Sequence, residues 1–83
     1  MTPTELETVV NDCVADWFGR MQKTGEIRAT DPAAVAETQR QTGMELLRTL
    51  QKNELMYTHL LAGDAAHARG AVNAIIDQVS GTP

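Results

Sequence analysis

The stretch Thr2-Pro3-Thr4-Glu5, followed by Leu6, Val9, Val10, Cys13, Val14, Trp17 and Met21, decides the fold class. Thr2 and Glu5 stand three apart as a capping box, and Pro3 occupies the first helical position, where its missing N–H is no loss. The apolar residues that follow recur every three or four positions, which is one face of an amphipathic helix. Glu5, Glu7, Asp12 and Asp16 precede Arg20 and Lys23, so the charges oppose the helix dipole at both ends. Thr24-Gly25 ends the helix at about residue 23, with Gly25 suited to the left-handed C′ position and Ile27 placed to fold back over the last turn.

Outward from that helix, Asp31-Pro32 reads as an N-cap followed by proline at N1. Projected at about 100° per residue, Val35, Ala36, Gly43, Leu46, Leu47, Leu50, Tyr57, Leu60 and Leu61 share one stripe. The stripe stays in phase through Lys52-Asn53, so the pattern predicts one helix over 32–62. The competing reading ends it at Lys52 and uses Asn53 as a fresh N-cap. Gly63-Asp64 then closes one helix and caps the next, over 65–79, whose stripe is Ala65, Ala68, Val72, Ile75, Ile76 and Val79. Residues 80–83 form a tail.

The expectation is one all-α domain over 1–83: a small antiparallel bundle of three helices, or four if Asn53 breaks the chain, with a long central helix. A helix of about 30 residues is some 45 Å long. It outruns both neighbours, so part of it projects from the bundle or packs on another chain.

With 83 residues, a core must be built economically. Apolar residues make up 42% of the chain and only Trp17, Phe18 and Tyr57 are aromatic, so that core is mainly aliphatic. Seven basic against eleven acidic residues give a net charge of −4, which lacks the clustered cations of nucleic-acid binding. The last helix carries Arg69 against Asp64 and Asp77, which also disfavours a helix-turn-helix reader. No apolar run approaches the roughly 20 residues of a membrane span, and no signal-peptide pattern opens the chain. The lone Cys13 fits a reducing compartment, and the reading places the protein in the cytoplasm.

Catalytic constellations are not legible. Cys13 lies on an apolar stripe with no histidine near in sequence, which describes a packed thiol. Ser80, the only serine, sits in the tail, which leaves no serine triad and no prosthetic-group serine at a helix start. His59, Asp64 and His67 flank one turn but match no tight metal-ligand spacing. Neither an enzyme nor a cofactor is expected.

Interaction surfaces remain. Met44 and Leu55 lie opposite the central stripe, three turns apart, and Ala66, Gly70 and Ala74 lie four apart on the outer side of the last helix. Gly70 costs roughly 1 kcal/mol against alanine, which close approach of another helix would explain. The expected function is a non-catalytic helical protein–protein interaction module that associates with itself or another protein. The alternative is a small acidic accessory or inhibitor protein, of the kind phages and mobile elements encode, acting on a host protein.

Overall fold

A computed structural model of the chain describes residues 1–25 and 31–80; they fold as helices, with no strand among them. The first, α1, spans Pro3–Thr24 and begins as the sequence dictates. The Thr2 hydroxyl accepts from the Glu5 N–H at 3.2 Å while the Glu5 carboxylate accepts from the Thr2 N–H at 3.4 Å. It ends at Gly25, whose φ of 80° is the left-handed conformation that a side chain resists. Helix α2 spans Pro32–Lys52, with Asp31 capping the Ala33 N–H at 3.1 Å. The expected return of Ile27 and the residues beyond Ser80 lie outside the described residues.

The single central helix over 32–62 is not what forms. Asn53, with φ −96° and ψ 88°, leaves helical geometry and separates α2 from α3, Glu54–Ala62. The Asn53 N–H donates to the Leu50 carbonyl, closing α2, and its side-chain oxygen accepts from the Met56 N–H at 3.3 Å, opening α3. Asparagine offers the backbone this local alternative to helical bonding. The apolar stripe survives because one capping residue barely alters its phase. Helix α4 spans Ala65–Ser80, and the Asp64 carboxylate caps it by accepting from the His67 N–H at 2.8 Å.

The core is α1 laid against α4 and α2. Leu6, Val9, Val10, Cys13, Val14, Phe18 and Met21 of α1 are buried, and with Leu50, Leu60, Ala68, Val72 and Ile76 they complete an aliphatic interior. At about 25 cal/mol per Å² of apolar surface removed from water, these residues supply the main drive to fold. Asp12 and Cys13 meet Arg69, and further along Asp16, Gly19 and Arg20 share a cleft with Asn73 and Asp77. Contacts climb α1 and α4 together, so this pair runs in the same sense. Antiparallel packing, expected of sequential helices, does not extend to it.

Three positions assigned to buried stripes are exposed: Ala36, Ala65 and Val79. Val79 stands in the last turn of α4, and Ala65 in its first, before the helix reaches α1. In α2, no residue before Gly43 is fully buried, and Val35 alone of its first turns packs, half-buried, against the core. No described helix is long and apolar enough to cross a membrane.

Candidate interaction surface

An apolar groove of about 400 Å³ opens where α1, α2 and α4 meet. Val14 and Trp17 form one wall, Leu46 with Thr42, Glu45 and Thr49 a second, and Ile75, Ile76 and Val79 a third. Its origin lies in consecutive aromatic residues. Phe18 enters the core, while Trp17 lies edge-on against it, ring centroids 5.2 Å apart, and remains half-buried beside the groove. The Thr49 hydroxyl donates to the Glu45 carbonyl of its own helix at 3.0 Å. The Thr49 hydroxyl is thus satisfied within α2, and the Glu45 carboxylate is the charged group on that wall. Val79 at the rim is 81% exposed.

Trp17 carries a cost. Its indole N–H is shut off from solvent and has no hydrogen-bond acceptor. A buried unmade donor forfeits about 1–3 kcal/mol. The side-chain oxygen of Asn73 is in the same condition; it lines a larger, mixed-charge cleft of about 590 Å³ between α1 and α4, with Asp16, Arg20, Lys23 and Asp77.

On the outer side of α2, Arg40 donates twice to Glu37, at 2.6 and 3.1 Å, and once to the Met44 sulfur at 3.2 Å. The hydrogen bond from Arg40 holds the Glu37 carboxyl below its ordinary range, and Glu37 in turn raises the guanidinium. Both partners are solvated, so the pair orders the surface rather than holding the fold.

The residues singled out from the sequence are distributed otherwise than expected. Met44 is 41% exposed and Leu55 87% exposed, but Asn53 puts them on different helices, which removes the single helical line they were expected to share. Ala66, Gly70 and Ala74 are all exposed on α4, and a Cβ at Gly70 would meet nothing within 4 Å, so no described residue makes the close approach expected there. Trp17 and Val79, read from the sequence as core, belong to the groove. A helical wheel finds which residues are apolar but not where three helices fail to close over them.

His59 and His67 stack edge-on at 5.3 Å, while Asp64 is occupied capping α4. Among the described residues no cluster of three or more histidine, cysteine or acidic side chains could hold a metal ion. The Cys13 thiol is buried, weakly bonded to the Arg69 carbonyl at 3.8 Å, and burial pushes its pKa up. A raised pKa disfavours the reactive thiolate.

No protein-family model, curated protein or solved structure matches the chain.

Proposed function

We propose that this protein is a non-catalytic helical interaction module that associates with copies of itself. The supporting observation is apolar surface left uncovered: Leu55 and Val79 are 87% and 81% exposed, and Trp17, Leu46 and Ile75 line an open apolar groove. Exposed apolar area of this kind marks contact surfaces more often than solvated ones. The frame in this reading is a small antiparallel arrangement of sequential helices in a reducing cytoplasm, where a lone thiol stays unpaired.

Light scattering coupled to size exclusion tests it. A mass that rises from one chain toward two across the micromolar range is the expected result. A single-chain mass at every concentration overturns the proposal.

A further inference from the structure

We propose that His59 and His67 form a binding site for one divalent transition-metal ion of the zinc class, bridging α3 and α4 across the turn at Gly63. The site stands apart from the apolar groove and does not depend on self-association.

The turn brings two imidazoles together. His59 lies in the last turn of α3 and His67 in the first turn of α4, where the Asp64 carboxylate holds the backbone by accepting from the His67 N–H at 2.8 Å. Gly63 leaves room for the His67 ring over the turn, since a Cβ there would stand 2.9 Å from the ring's Cδ2 carbon. The two ring centres are 5.3 Å apart, with their planes at 76°. An ion about 2.0–2.1 Å from a nitrogen of each ring stands about 3.2 Å from each ring centre, and a tetrahedral angle then sets the centres about 5.2 Å apart. The helices thus hold the two rings at the spacing that sharing one ion requires.

The donor set selects the ion. Both side chains are exposed, and neither ring makes a hydrogen bond among the described residues, so both are open to a ligand from solvent. Neutral imidazole suits Zn²⁺, Ni²⁺ and Cu²⁺, whereas Mg²⁺ and Ca²⁺ take oxygen ligands. The carbonyls of Leu61 and Gly63 at the same turn already accept from the Met1 amine, so they do not convert the site into an oxygen cage. Two protein ligands leave the remaining positions to water, which makes the site open and exchangeable, unlike a closed four-ligand zinc site. Bridging also has a consequence for the fold, because α3 is a nine-residue helix whose one buried residue is Leu60. An ion that needs both helices formed stabilises their pairing by mass action.

The test titrates Zn²⁺ into the whole, untagged chain by calorimetry, alongside His59→Ala, His67→Ala and Cys13→Ala, with the imidazole proton resonances followed in parallel. The expected result is one ion per chain, with the resonances of both imidazoles shifting together. Each histidine variant should weaken binding by at least the roughly tenfold that loss of an outer-shell partner costs a metal site. Both positions are exposed, so these variants fold. Cys13→Ala should bind as the wild type does, because that thiol is 1% exposed. Zinc should also slow amide exchange across Glu54–Ala62 in the wild type and in neither histidine variant. No binding at millimolar zinc, an affinity indifferent to either histidine, or one lost with Cys13 overturns the site and leaves the two rings as a stacking contact.

Discussion

The side chain of Asn11 on α1 lies across Gly43 on α2, in the space that a Cβ at Gly43 would occupy. Gly43 is the first buried residue of α2, so this is where that helix comes down onto the core. The obstructing atom is the end of a short, exposed side chain, and the Asn11 Cα is 4.0 Å away. Alanine at Gly43 should displace the amide, whereas a larger side chain must reach the α1 backbone. Gly70 supplies the control, because nothing stands near it and only helix propensity changes. Gly70→Ala should stabilise by about 0.5–1 kcal/mol. Gly43→Ala should gain less than that or nothing, and Gly43→Leu should lose about 1–3 kcal/mol through overpacking. Urea unfolding of the three variants checks the order.

Local chemistry made α1 readable. The Thr2–Glu5 box, Pro3 and Gly25 each impose a backbone state through bonds made within four residues, and each stands where the sequence puts it. Asn53 shows why the middle of the chain was harder. Periodicity assumes a straight cylinder, and a stripe in phase across a break looks the same as one without it. Which of two competing local bondings Asn53 adopts depends on what lies beneath Leu50 and Leu60. The groove is further from the sequence still, since it is a property of three helices at once. Val72 and Val79, seven apart, stand within about 20° of each other on the α4 wheel, yet one is 0% exposed and the other 81%.

The break at Asn53 makes a direct prediction. Replacing it with alanine removes the oxygen that accepts from the Met56 N–H and supplies no acceptor in its place. An N-cap asparagine is worth about 1 kcal/mol over alanine. Asn53→Ala should lose that amount in denaturant unfolding, and Asn53→Asp or Asn53→Ser should retain most of it. If alanine were neutral, α2 and α3 would have to rejoin as one helix in the variant.

The Cys13 thiol predicts a pH dependence whose sign follows from burial. Burial raises its folded-state pKa above the unfolded value of about 8.5. Between those two values the folded chain keeps a proton that the unfolded chain has lost. Stability contributed by this group is therefore intact below the unfolded pKa and falls as pH rises toward the folded one. The fall approaches about 1.4 kcal/mol per pH unit at most. Cys13→Ala, though less stable at neutral pH, should lose that component of the slope, and the difference between the two profiles cancels tyrosine and lysine titrations common to both. A difference that does not change with pH above about 8.5 would mean that the thiol is solvated.

Leu60 is the one residue of α3 that the core buries, at 1% exposed, while Leu55 and Met56 on the same short helix face water. A nine-residue helix is marginal by itself, so α3 depends on that anchor. Leu60→Ala should cost about 2–5 kcal/mol, as truncation of a buried leucine does. The loss should also be local before it is global. Amide exchange should accelerate first in Glu54–Ala62, through opening of α3 alone, while amides flanking Val10 and Val14 in α1 exchange only by complete unfolding. Uniform acceleration through α1 and α3 would show instead that the short helix is an inseparable part of the core, and that the Asn53 turn transmits strain rather than isolating it.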